Sequence, residues 1–275
     1  MTSSSPIMHS AETSFLVGLE GTEITTTARP AFQLPTKTWI IIKRLGEVSM
    51  FTYQMNTDGG IPPGFSAGRF LYYSKDDSTK EPAFMRVYYQ IPIYGTEWSS
   101  HNVRASQAVP PIELVELKAF RSFIKHACSA VPQLLGYHEG QQPDDGIVPG
   151  GYTTMIVWEK VPGIPLSKEY FWNLDRVQRD GILGNFRRLT RCGVQPFASS
   201  FSKLIYDEST GKISKNPGNS RLNANSYIQS HIPGFCMAVP IDSARTWTDR
   251  IYLEYGMVKA PHTQHRYDHE EEWEF

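Results

Sequence analysis

Residues Glu159-Lys160-Val161-Pro162-Gly163-Ile164-Pro165-Leu166 constrain this chain more than any others, because two prolines and a glycine fall within one short span. Proline fixes its own backbone and lacks a donor, so no helix or central strand runs through such a segment. The residues before it read mostly as strands, and those after it open with a helix. The breaker is the expected boundary between two lobes.

Thr38–Lys43, Val48–Gln54 and Arg69–Ser74 are β-branched or aromatic runs separated by Gly and Pro clusters, which predicts three strands. Ala83–Ile93 alternates: Met85, Val87 and Tyr89 point one way, Arg86, Tyr88 and Gln90 the other. A helix is expected from about Pro110-Pro111, a tolerated first turn, to about Cys128, with Leu114, Leu117, Phe120 and Ile124 along one face. Val131–Tyr137 reads as a turn and a strand, and Tyr152–Glu159 as an apolar strand. Beyond the breaker Asp175 is a good cap, and Val177, Ile182, Leu183, Phe186 and Leu189 fit a helical stripe ending near Arg191. Residues 208–230 look like a long exposed loop, and Ile251–Val258 fits strand or helix equally well. No internal repeat is present.

This order predicts an α+β, two-lobed fold. Residues 1–37, rich in Ser, Thr and Pro, are expected to form a mostly irregular arm, with Ser14–Val17 as a candidate short strand. A sheet-plus-helix lobe is expected over 38–160, and a reduced C-terminal lobe with an acidic tail over 161–275.

Bulk properties narrow the partners. A formal charge of −1 over 275 residues gives no basic excess for nucleic acid or an anionic membrane. Cys128, Cys192 and Cys236 are dispersed and odd in number, which fits a reducing compartment better than a disulfide scaffold. Met1–Pro6 lacks the basic start of a secretory signal, and no apolar run reaches membrane-spanning length. The expectation is a soluble intracellular protein, cytoplasmic, with the nucleus left open.

The chemistry-bearing segment is Gly193–Asp207. A kinase catalytic loop runs Gly-x-x-His-x-Asp, four residues, Asn, then an apolar strand closed by Asp. Here Gly193 opens the segment, Leu204-Ile205-Tyr206 supplies the strand and Asp207 closes it. The His position falls on Pro196, the catalytic Asp on Ala198 and the metal-binding Asn on Lys203. Three further motifs precede it in order: Ala83-Phe84-Met85-Arg86-Val87-Tyr88, where Ala-x-Lys-Val would stand; Glu113, with Glu116 as fallback, where a helix glutamate would stand; and the breaker, which matches an interlobe hinge. Together they resemble the protein-kinase-like superfamily, including its aminoglycoside and choline kinase branch, and look closest to small fungal kinase-like proteins.

That resemblance implies a nucleotide-like cleft formed by Arg86, Glu113 and the backbone near Glu159–Val161, with Arg86 and Glu113 as an ion pair. It also implies lost chemistry. A methyl group at 198 cannot accept a proton, and an ammonium at 203 cannot hold magnesium. Gly59-Gly60-Ile61-Pro62-Pro63-Gly64 is a poor phosphate cradle because its prolines lack donors. Pro233-Gly234-Phe235 puts proline where a metal-binding Asp would stand. ATP and magnesium are not expected to bind productively, so no cofactor or metal is expected. The leading expectation is a pseudokinase-type binding or regulatory module whose partner is a protein or a small metabolite. Two alternatives are an enzyme of fungal specialised metabolism, cyclising or isomerising a substrate, and an atypical phosphotransferase using Asp207 and Asp242.

Other constellations read as structural. His262, His265, Asp268 and His269 form a ligand-rich but polar tail beside an acidic run. Ser199, Ser200 and Ser202 lack a nucleophile elbow. Cys192 reads as an inert buried thiol. Asp175 with Asp180, and Asp207 with Glu208, read as caps and turns. The aromatics read as core, with Trp158 the one placed to line a pocket.

Overall fold

The computed structural model describes residues 14–129, 131–190, 194–195, 201, 204–210, 212–215, 239–240, 248–261 and 270–275. The chain divides into two compact units, Met1–Glu113 with Leu134–Lys160, and Leu114–Gln133 with Val161–Phe275.

The first unit is built on six strands: β1 (Glu23–Thr26), β2 (Lys37–Met50), β3 (Phe65–Ser74), β4 (Ala83–Gln90), β5 (Leu134–Gln141) and β6 (Tyr152–Trp158). Short helices α1 (Gln54–Asp58) and α2 (His101–Ala105) lie between strands. The sheet order is β1-β2-β3-β4-β6-β5, with every neighbouring pair antiparallel. Two expectations are corrected here. The two runs around Thr38–Lys43 and Val48–Gln54 are one 14-residue strand, kept paired through Arg44–Gly46 by register shifts of the bulge type. The arm over 1–37 is not all irregular: β1 pairs with β2, whereas Ser14–Val17 forms no strand.

One face of this sheet buries Leu16, Trp39, Phe70, Tyr72, Met85, Val87 and Val157 together. Trp39 meets Tyr72 edge-on at 5.0 Å and donates its indole N–H to Thr26 Oγ1 at 3.0 Å. Leu16 reaches the sheet over Gly68, where a Cβ would stand 2.6 Å from Leu16 Cδ1. Glu47 fixes that approach: it accepts from Ser14 Oγ at 2.6 Å, Phe15 N at 2.6 Å and Ser66 Oγ at 2.7 Å.

Burial pushes the Glu47 carboxyl up, but the bonds from Ser14, Ser66, Phe15 and Leu16 outweigh it and hold the group below its ordinary value of 4.5. The stability it contributes is present above that ordinary value and is lost as pH falls through the lower folded value. Stability is therefore expected to fall as acid is added below about pH 4.5. In urea melts across pH 3–6, Glu47→Gln should flatten part of that fall; an unchanged slope would show that Glu47 is not the responsible group.

The second unit holds α3 (Val115–Lys125), β7 (Ile164–Pro165), α4 (Lys168–Asn173), α5 (Arg176–Thr190), β8 (Val194–Gln195), β9 (Leu204–Asp207), β10 (Lys212–Lys215), β11 (Val239–Pro240) and α6 (Arg250–Glu254). β10-β9-β7 and β11-β8 are small antiparallel sheets. The expected start of α3 at Pro110-Pro111 is corrected to Val115, and the helix groups with this unit rather than with the large sheet. The Ile251–Val258 segment begins within α6, a single helical turn, so the strand option falls. At the start of α5 Asp175 Oδ1 accepts from Gln178 N at 2.8 Å, and Gln178 Oε1 accepts from Asp175 N at 3.2 Å. That is a reciprocal capping box, and it explains why the helix begins there. Phe171, Ile182, Phe186, Tyr252, Tyr255 and Met257 fill the core of this unit, with the Phe186 and Tyr255 rings 4.6 Å apart. Among the described residues no helix is long and apolar enough to cross a membrane.

Candidate functional site

Antiparallel pairing of β3 with β4 sets Arg69 directly opposite Arg86. The alternation of strand side chains then places Phe84, Tyr88, Thr154 and Trp158 on the face that carries both arginines. The Arg86 guanidinium lies 5.7 Å from the Trp158 ring centre and that of Arg69 lies 5.9 Å from the Phe84 ring centre. The two rings are tilted against each other at 6.3 Å. Farther along β4, Tyr88 meets Phe65 at 5.4 Å.

This face is buried as deeply as the opposite one, contrary to the ordinary expectation for the polar side of an alternating strand. Arg86 is 3% exposed, Tyr88 1% and Gln90 0%. Gln90 is a staple: it donates to Gln107 O at 2.6 Å and accepts from Val109 N at 3.1 Å and Tyr152 N at 3.3 Å. Arg69 is different. It is half-buried and, among the described residues, its side chain forms no ion pair or hydrogen bond, only its stack on Phe84. Burial, and then the charge of Arg86, pushes Arg69 down to about 10. Like charges in directly opposed strand positions destabilise a sheet, so this pair has a cost that simple packing residues would avoid. On β6 the hydroxyls of Tyr152 and Thr154 are buried with no hydrogen-bond partner among the described residues. Such groups cluster where a site has work to do or holds water.

The predicted site residues divide. Arg86 is in this cluster. Glu113 is exposed and precedes α3, whereas the fallback Glu116 is in the first turn of that helix and wholly buried. Glu159 and Val161 directly follow β6 and are half-buried. Gly163 has φ +109°, and a Cβ there would stand 2.4 Å from Tyr206 O, so only glycine lets β7 pair with β9. Gly59–Gly64 is a turn after α1, with Ile61 N donating to Asn56 O at 2.9 Å. Asp207 accepts from Ser209 Oγ and Thr210 Oγ1, each at 2.7 Å, which holds its carboxyl below the usual range; the group closes the turn between β9 and β10. Asp180 pairs with Arg176 on the surface of α5. Pro196, Ala198, Lys203, Ser199, Ser200, Ser202, Cys192, Cys236, Pro233-Gly234-Phe235, Asp242 and the His262, His265, Asp268 and His269 series lie outside the described residues. Among the described residues no three His, Cys, Asp or Glu side chains are grouped to hold a metal ion.

Arg69 was not singled out by sequence. A lone arginine in a strand reads as a solvated position, and only the β3–β4 register reveals that it faces Arg86. Compared with known proteins, the chain matches no family model and no curated sequence at a significant level.

Proposed function

We propose that this protein is a kinase-like binding or regulatory module that transfers no phosphoryl group. The observation that carries the proposal is the use made of Arg86. At the position where the resembled family grips nucleotide with lysine, this chain buries a guanidinium against Trp158, opposite a second arginine and beside Phe84. Arginine keeps the charge but not the point-like reach of lysine. Side chains this deeply packed are scaffold rather than a mobile phosphate clamp. The succession of β6, breaker, a short β7 paired to β9, and Asp207 supports the kinase-like reading of the chain order. Asp207, the one relocated carboxylate within the described residues, is engaged by its own turn, which weighs against an atypical phosphotransferase. Tyr152 and Thr154 favour the second reading, a small-molecule enzyme, because a substrate would satisfy their hydroxyls.

The test is incubation of the pure protein with γ-labelled ATP and magnesium or manganese, alone and with protein and small hydroxyl acceptors. No transfer above the buffer control is expected, and Arg86→Lys should restore none, since Ala198 and Lys203 still lack the base and the metal ligand. Transfer that scales with protein and is abolished at Asp207 would overturn the proposal.

A further inference from the structure

The first unit carries a second feature, away from the arginine pair in sequence. Trp98 is 93% exposed, Met55 69%, Ile61 42% and Tyr94 41%. They lie on two segments that fold together: Tyr94 N donates to Thr52 O at 3.0 Å, and the Tyr53 and Tyr94 rings are 4.9 Å apart. Tyr94 and Trp98 lie in consecutive turns, closed by Thr96 N donating to Ile93 O at 2.9 Å and Ser99 N to Thr96 O at 3.0 Å, and Glu97 ties the two by accepting from Gly95 N at 3.1 Å. Scattered exposed apolar residues are ordinary, but a nearly bare tryptophan on a segment tied to one that carries exposed methionine and isoleucine has the composition of a binding anchor.

The charges say what would cover it. Residues 50–66 and 88–103 contain no lysine or arginine; their only formal charges are Asp58 and Glu97. Among the described residues neither carboxylate is in an ion pair: Asp58 accepts from Gln54 Nε2, and Glu97 from the backbone. The nearby loop adds exposed Asp144 and Asp145, reached through His101 on Asp144 O at 2.7 Å. Arg104, just beyond, is turned to Ile147 O. An anionic membrane would be repelled by this set. A second copy of the chain would bring the same carboxylates together with no cation between them.

We propose that this surface docks a basic peptide segment of another protein, in which lysine or arginine alternates with apolar side chains. A cation would stack on Trp98 and pair with Glu97 or Asp58, while the apolar neighbours cover Met55 and Ile61. The docking surface does not depend on the fate of the nucleotide cleft.

The experiment pans a displayed library of random 12-residue peptides against the full-length protein, then measures the enriched peptides against variants. Trp98→Ala should melt as the parent does, because the side chain is already in water. Enriched sequences should be rich in Lys or Arg beside Leu, Ile or Phe. Their affinity should fall at least tenfold in Trp98→Ala and in Glu97→Lys with Asp58→Lys, and should weaken with salt. Enrichment of acidic or uncharged peptides, equal affinity for all variants, or no enrichment would overturn the proposal. So would a dimer in sedimentation that Trp98→Ala dissolves, or binding of the protein to phosphatidylserine vesicles through Trp98.

Discussion

Trp158→Ala is expected to lower the stability of the sheet unit by about 3–5 kcal/mol, read as a shift of its urea midpoint at unchanged slope. Trp158 is 0% exposed and sits on the last residue of β6, cross-strand from both Phe84 and Leu134. Its removal takes away a large apolar surface and leaves a hollow that the sheet cannot readily close, because the ladders of β6 to β4 on one side and to β5 on the other fix the backbone around it. It also removes the ring beneath the Arg86 guanidinium and the partner of Phe84. A loss below about 1 kcal/mol would mean that the ring is not packed as described. Trp158→Phe should recover roughly half of the loss, since a smaller ring still fills part of the space.

The two facing arginines are expected to respond in opposite directions. Arg86→Ala should cost about 2–4 kcal/mol, because its buried stem packs like an apolar side chain and its guanidinium stacks on Trp158. Arg69→Leu should be neutral or stabilising by up to about 1 kcal/mol. Its charge is held beside a like charge with burial against it, and leucine keeps an apolar body near Phe84. Chemical denaturation of both variants checks the contrast. Equal losses would show that Arg69 is an ordinary structural residue. A gain from Arg69→Leu would mark the residue as one retained at some cost to stability, as residues at binding sites commonly are.

How much of this was legible in the sequence depends on the length of each signal. β3, β4, β6 and α5 were readable because each carries several periods of its pattern, and α5 also announces itself through Asp175 and Gln178. β2 was broken in two because Arg44-Leu45-Gly46-Glu47 has turn composition, and a bulge uses the same residues without ending the strand. α1, α2 and α4 have five or six residues each, too few to show a period. β1 has little apolar character of its own and exists through its partner β2.

The candidate site was legible only in part. Arg86 was singled out through its place in a strand motif. The choice between Glu113 and Glu116 depended on where α3 starts, a matter of one turn: Val115 opens the helix, so Glu113 precedes it at an exposed position and Glu116 is carried inside. The pairing of Arg69 with Arg86 is a property of register, and register is fixed by the two buried faces of the whole sheet rather than by either strand alone. Trp98 gave no signal, since one tryptophan in a polar turn looks the same in sequence whether it is buried or bare.

The proposed function has the chain keeping a kinase-like order without a working nucleotide site. Thermal melting of the purified protein with ATP, ADP and GTP, each with and without magnesium, tests it most directly. A ligand that binds only the folded state adds about 2.7 kcal/mol at a hundredfold excess over its dissociation constant, which melting detects readily. No magnesium-dependent rise in Tm is expected with any of the three nucleotides at millimolar concentration. A rise of several degrees that requires magnesium, and that Arg86→Ala abolishes in a variant still folded at the starting temperature, would contradict it.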